Sequence, residues 1–245
     1  MQASVGMHKK AIKNYEEALI TPVDQEKVLV LCDMALILFR MHKSSDAFLC
    51  YQKAMCMVKK NHPIITTILI NMANMYYEDG DDVNALSYYK RALSLCSNLP
   101  QEPQILEARC NVCYNTGLIY LKQERYRDAL SLFQEVLKTK VPAVLNGEND
   151  FNSKIASVMN IIGNVYFTQK KYTDALEWYQ ECMSWKEKHF GKESEYIMGT
   201  LSNLGAAYYH LDDLENALKC YKRGLTLPVA VSKSAELDAV SIYKL

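Results

Sequence analysis

Residues 161–183 read IIGNVYFTQKKYTDALEWYQECM, and the spacing inside this stretch decides the fold. A large apolar residue, Ile162, precedes a small one, Gly163. Tyr166 follows three residues after the glycine. A polar break separates it from Ala175, with Tyr179 four residues further on and Cys182 three after that. Spacings of three and four place side chains on one face of a helix. The break between the two spaced runs is a short turn. The stretch therefore encodes two antiparallel helices. Small residues stand where the axes approach, and aromatics fill the gaps between one pair and the next.

The same grammar returns along the chain. It runs NMANMYYEDGDDVNALSYYKRAL at 71–93, NTGLIYLKQERYRDALSLFQEVL at 115–137 and NLGAAYYHLDDLENALKCYKRGL at 203–225, with a weaker copy, DMALILFRMHKSSDAFLCYQKAM, at 33–55. The small residues are Ala35, Ala73, Gly117, Gly163 and Gly205. The second-helix alanines are Ala47, Ala85, Ala129, Ala175 and Ala217, and the aromatics after them are Tyr51, Tyr89, Phe133, Tyr179 and Tyr221. A half copy, KKAIKNYEEAL, stands at 9–19, and SAELDAVSIYKL at 234–245 reads as one more amphipathic helix after Pro228.

The small residue behind an apolar one, the tyrosine, the alanine and the second aromatic together resemble the tetratricopeptide repeat. The resemblance covers about residues 6 to 228. It implies an all-α fold, a right-handed superhelical solenoid of antiparallel helix pairs. The expected boundaries are a half repeat at 6–22, repeats at 28–60, 64–98, 104–140, 153–190 and 194–228, and a capping helix or the start of a further repeat at 233–245. The alanines fall at 11, 47, 85, 129, 175 and 217, wider than the roughly 34-residue standard repeat. The links at 59–77 and 188–209 are similar to the long-repeat style of kinesin light chain-type adaptors. Coiled-coil heptads are absent from the sequence, and the half copy at the start suggests a fragment of a longer chain.

In such solenoids the first helices line a concave face that binds partners. The resemblance places Asn71, Asn74, Asn115, Asn160, Asn164 and Asn203 on that face, edged by Tyr77, Phe167 and Tyr209. An asparagine amide carries donors and an acceptor, so it can clasp a peptide backbone without demanding a particular side chain. A cap or a solvated helix face is the plainer reading of these asparagines. For the three aromatics the plainer reading is packing on the neighbouring helix. The family's carboxylate clamp needs Lys or Arg in the groove. Its places hold Cys32, Ile70, Tyr114, Asn160 and Ser202, or Leu29, Thr67, Asn111, Ser157 and Gly199, none of them basic.

Composition narrows the function classes. Lys+Arg and Asp+Glu are 28 each in 245 residues, for a formal net charge of +0. A protein that replaces phosphate counterions carries a basic excess, so this balance argues against nucleic acid. The sequence lacks an apolar run of bilayer length, which argues against direct membrane insertion. Eight cysteines, mostly among apolar neighbours, and the lack of an Asn-X-Ser/Thr sequon fit reduced thiols in the cytoplasm. Cys110 and Cys113 form a lone C-x-x-C without the second ligand pair that zinc requires. The five histidines are dispersed, and Gly191–Lys192 lacks the surrounding glycines of a phosphate loop. The expectation is no enzyme, no cofactor and no metal. It is a scaffold or adaptor that takes a protein or peptide segment in its groove. The alternative is a structural subunit of a larger complex, using its convex face and edges.

Overall fold

The computed structural model describes residues 24–59, 62–139 and 148–227; the half copy expected at 6–22 and the segment expected at 233–245 lie outside them. The described residues form helices and turns, with no strand among them. The chain divides into two compact units, residues 1–119 and 120–245. The first contains α1 (Asp24–Arg40), α2 (Ser44–Cys56), α3 (Ile64–Glu78), α4 (Asp82–Asn98) and most of α5 (Pro103–Lys122). The second contains α6 (Tyr126–Lys138), α7 (Glu148–Thr168), α8 (Tyr172–Phe190), a short 3₁₀ turn (Glu195–Ile197), α9 (Met198–His210) and α10 (Leu214–Thr226).

One turn is used five times. Seven residues after each small residue the backbone enters the left-handed region, at His42 (φ 59°), Gly80 (φ 80°), Glu124 (φ 58°), Lys170 (φ 59°) and Asp212 (φ 62°). The next residue's N–H reaches back five residues. Lys43 donates to Leu38 O at 2.9 Å, Asp81 to Tyr76 O at 2.8 Å, Arg125 to Tyr120 O at 2.8 Å, Lys171 to Tyr166 O at 3.0 Å and Asp213 to Tyr208 O at 2.9 Å. These bonds satisfy carbonyls left open at a helix end, and the left-handed residue makes them possible. Only Gly80 adopts that conformation free of Cβ strain.

Two turns also cap the helix they open. Asp81 accepts from the Asn84 N–H at 3.0 Å and Asp213 from the Asn216 N–H at 3.1 Å. The two asparagine amides close back on the same carboxylates at 2.6 and 2.7 Å. These bonds hold both carboxyls below their ordinary pKa, led at Asp81 by the backbone bond from Asn84 and at Asp213 by the side-chain bond from Asn216.

Packing follows the small-and-aromatic grammar. A Cβ on Gly163 would stand 2.6 Å from Tyr179 Cδ1, and one on Gly205 would stand 2.6 Å from Tyr221 Cε1. Glycine at these places lets the aromatic of the paired helix lie flat on its backbone. Tyr51, Tyr89, Phe133 and Tyr179 are buried, as are Ala47, Ala85, Ala129 and Ala175, whereas Tyr221, the aromatic over Gly205, stays 41% exposed. In the first unit Phe48, Tyr76 and Tyr88 bring α2, α3 and α4 together, with ring centroids 4.8 and 5.4 Å apart for Phe48–Tyr76 and Tyr76–Tyr88. In the second unit Arg223 bonds Glu187 Oε1 at 2.6 Å and Lys192 O at 2.9 Å, tying α10 to the end of α8 and its link.

None of the eight cysteines is joined in a disulfide. Cys110 and Cys113 are both buried on α5 and serve as packing groups. Burial, with Asp33 beside it, pushes the Cys32 thiol up to about 11, far from nucleophilic use.

Candidate functional site

The asparagines form two hydrogen-bonded groups, one in each unit. In the second unit Asn164 on α7 accepts from the Tyr179 hydroxyl on α8 at 2.7 Å and from Asn203 Nδ2 on α9 at 3.3 Å. Asn203 Nδ2 also donates to Asn160 Oδ1 at 3.3 Å. The first unit repeats the arrangement. Asn74 on α3 accepts from the Tyr89 hydroxyl on α4 at 2.5 Å and from Asn115 Nδ2 on α5 at 3.0 Å. One amide thus joins the second helix of its own pair to the first helix of the next.

This bonding orients each group. The carbonyl ends of Asn74 and Asn164 are each used twice, so their NH₂ groups are what a ligand could meet. Asn115 and Asn203 donate, which leaves their Oδ1 atoms as acceptors. Each unit therefore offers a donor on one helix and an acceptor on the next. Exposure is unequal: Asn160 is 5% and Asn203 8% exposed, whereas Asn71, Asn74, Asn115 and Asn164 are half-buried.

The edge aromatics divide in the same way. Tyr77 is half-buried and packs against the core formed with Ala73, Tyr89 and Val112. Phe167 is half-buried, edge-on to Tyr172 at 5.2 Å and to His210 at 5.3 Å. Tyr209 is 61% exposed. His210 stacks on Tyr172 with centroids 4.6 Å apart and planes 7° apart and is itself exposed at the end of α9.

A tyrosine–asparagine link at fifteen residues is the signal that sequence reasoning missed. Asn74 pairs with Tyr89 and Asn164 with Tyr179; where the earlier place holds Leu118, the later one holds Phe133. The fifth copy, with Ala206 fifteen before Tyr221, and the first copy break the pattern. Leu36 stands fifteen before Tyr51, and the Tyr51 hydroxyl is buried without a hydrogen-bond partner. Burial raises its pKa, and nearby Asn71 only partly offsets the rise, without hydrogen-bond geometry. Leu36, Phe39, Asn71, Asn74 and Met75 line a cleft of about 520 Å³ between α1 and α3, with Arg40, His42, Glu78 and Asp79 at its turn end.

Models of the tetratricopeptide repeat match residues 64–140 and 154–227, and a further one matches 114–182. The chain belongs to the tetratricopeptide-repeat family. Solved structures agree on the fold. BtubC (BKLC) from P. vanneervenii is 19% identical with a TM-score of 0.71, over 91% of this chain and 89% of that one. The apo quorum sensor NprR from B. thuringiensis is 16% identical with a TM-score of 0.63, over 92% of this chain and 60% of that one. Tetratricopeptide-like repeats of a kinesin light chain-type protein from Podosopora anserina are 12% identical with a TM-score of 0.61, over 84% of this chain and 96% of that one. At these identities the likeness is one of fold. A search of curated proteins finds no match. Tetratricopeptide-repeat proteins bind protein or peptide partners, and the family is generally non-catalytic. Among the described residues no helix is long and apolar enough to cross a membrane.

Proposed function

We propose that this tetratricopeptide-repeat protein is a non-catalytic scaffold or adaptor whose asparagine faces hold the extended backbone of a partner segment. The observation that carries the reading is the orientation of the amides. The NH₂ of Asn74 or Asn164 sits one helix away from the Oδ1 of Asn115 or Asn203, each held by an internal bond. A peptide unit presents one C=O and one N–H, and preorganised partners reduce the entropic cost of binding it. Half-buried Asn71 and exposed Tyr209 extend the two faces, with Phe167 and Tyr77 as walls. Asn160 holds Asn203 in place. Eight cysteines without a disulfide among them support a cytoplasmic site of action.

The test is selection of a random dodecapeptide library on the full chain, with Asn74→Ala and Asn164→Ala as counter-selections. Sequences enriched on the wild type and weakened by either variant support the reading. Enrichment indifferent to both variants overturns it. The second reading, a structural subunit contacting partners by its convex face, draws support from the burial of Asn160 and Asn203, whose bonds stitch neighbouring helices whether or not a ligand is present.

A further inference from the structure

Each complete asparagine group brings two donors to one amide oxygen. Asn74 Oδ1 receives the Tyr89 hydroxyl and Asn115 Nδ2, and Asn164 Oδ1 receives the Tyr179 hydroxyl and Asn203 Nδ2. The first pair keeps both donor places and lacks the acceptor. Tyr51 stands where Tyr89 and Tyr179 stand, Asn71 where Asn115 and Asn203 stand, and Leu36 takes the place of the amide. The consequence falls on Tyr51, which is 0% exposed and whose hydroxyl has no hydrogen-bond partner. A buried donor left in this state is costly. Leu36 is 41% exposed and Asn71 is half-buried, and both line the cleft of about 520 Å³ between α1 and α3. The unmet donor therefore lies beneath the floor of a cleft.

We infer that this cleft is a specificity pocket for a carboxamide side chain, an asparagine or glutamine of the bound segment, whose carbonyl oxygen supplies the acceptor that Leu36 does not. The inference rests on the backbone-holding role proposed above for Asn74 and Asn115, and Asn74 also lines the cleft, so the two sites adjoin. The incoming oxygen accepts from the Tyr51 hydroxyl and from Asn71 Nδ2, as Asn74 Oδ1 accepts from Tyr89 and Asn115 one pair later. Entry requires the Leu36 side chain to swing outward, and exposed side chains change rotamer within nanoseconds. The ligand's NH₂ turns to the open end of the cleft, where Glu78 and Asp79 offer acceptors. Charge selects the amide over a carboxylate, because an anionic side chain meets those two acids against the one guanidinium of Arg40. An aliphatic side chain of similar volume leaves the Tyr51 hydroxyl unpaired, and a site built around a hydrogen bond rejects the analogue that lacks it.

The experiment takes dodecapeptides selected on the full chain and titrates one of them by calorimetry, beside analogues in which the amide residue is replaced by methionine or by glutamate. The expected result is one position restricted to asparagine or glutamine, with both analogues binding about three- to tenfold more weakly. In Tyr51→Phe and in Leu36→Asn the advantage of the amide over methionine should fall below about twofold. The first variant removes the waiting donor, and the second fills the acceptor place from within. Neither breaks a hydrogen bond of the unbound fold, so both keep the helix pair intact. Peptides that depend on Asn74 and Asn164 yet show no amide position overturn the inference and leave the backbone reading standing. An amide preference that survives in either variant overturns it, as does a preference for glutamate, which assigns the cleft to Arg40. A library without binders, or binders indifferent to Asn74→Ala and Asn164→Ala, overturns both readings together.

Discussion

Tyr179 donates its hydroxyl to Asn164 Oδ1 at 2.7 Å across the helix pair that both residues help to close. The ring of the same tyrosine lies on Gly163, next to Asn164 in the chain. One side chain therefore fixes both the axial distance of α7 from α8 and the direction in which the groove amide points. Packing and presentation of the candidate site are coupled through a single residue.

That coupling predicts opposite outcomes at equivalent tyrosines. Tyr89→Phe and Tyr179→Phe each remove a hydrogen bond and should cost about 0.5–1.5 kcal/mol. Tyr51→Phe removes a buried hydroxyl that has no partner. It should be neutral or stabilising by up to about 1 kcal/mol. Leu36→Asn restores the missing acceptor at the fifteen-residue spacing, and should make Tyr51→Phe unfavourable in its background. Urea denaturation of the five variants beside the wild type gives the comparison. Equal losses at all three tyrosines would refute it.

The glycines separate close approach from mere helix weakness. Gly163→Ala forces a methyl into the Tyr179 ring and should cost about 1–3 kcal/mol. Gly199 on α9 meets nothing within 4 Å, so Gly199→Ala should stabilise by about 0.4–1 kcal/mol through the unfolded chain's lost freedom. Thermal melts of the two variants should move in opposite directions.

What was legible in the sequence was whatever repeats at fixed spacing. The helix pairs are written in Ile162–Gly163, Tyr166, Ala175 and Tyr179, because core positions must recur every three or four residues. Leu214 and Leu218 obey that same helical pattern, yet they stand exposed, because burial also requires a neighbour. Asn160 and Asn203 look like surface residues by type, but both are buried, and Asn203 donates its amide to Asn160 Oδ1. The left-handed turns were equally hidden, since His42, Glu124, Lys170 and Asp212 carry no glycine to announce them.

Those turns yield a prediction of their own. A non-glycine residue in the left-handed region costs roughly 1–2 kcal/mol, offset in part by glycine's larger unfolded-state entropy. Glu124→Gly and Lys170→Gly should therefore raise stability, by up to about 1 kcal/mol each. Gly80→Ala should lower it by a similar amount, despite open space around the new methyl. A midpoint unchanged in all three would mean that the strain is relieved elsewhere.

The helix caps set the acid limb of the stability curve. Asp81 and Asp213 have folded pKa values below the ordinary carboxylate value, which for aspartate is about 3.9. The unfolded chain therefore binds protons first as pH falls. The stabilisation from each cap is fully present above about pH 4 and is lost as pH drops through the lower folded value. Asparagine is as good an N-cap as aspartate but does not titrate. Asp81→Asn/Asp213→Asn should thus keep the fold at neutral pH while flattening the decline in urea midpoint between about pH 5 and pH 2. An acid limb as steep as that of the wild type would assign the decline to other carboxylates.

Ligand binding should depend on backbone polarity and not on a chain terminus. No Lys or Arg stands at the places where a carboxylate clamp would need one, and the amide groups at Asn74–Asn115 and Asn164–Asn203 are neutral. A peptide selected on the full chain should keep its affinity when its C-terminus is amidated. Its dissociation constant should change by less than about twofold between low and physiological salt, because few charges are there to be screened. Replacing Asn164 by alanine removes the proposed donor to the ligand together with the acceptor for Tyr179. Its binding loss must therefore be read beside Tyr179→Phe, which removes the support alone. If Tyr179→Phe weakens binding by a smaller factor than Asn164→Ala, the amide touches the partner and the tyrosine positions it. If isothermal titration gives the two variants equal losses, the asparagine acts only through packing, and the contact with the partner lies elsewhere.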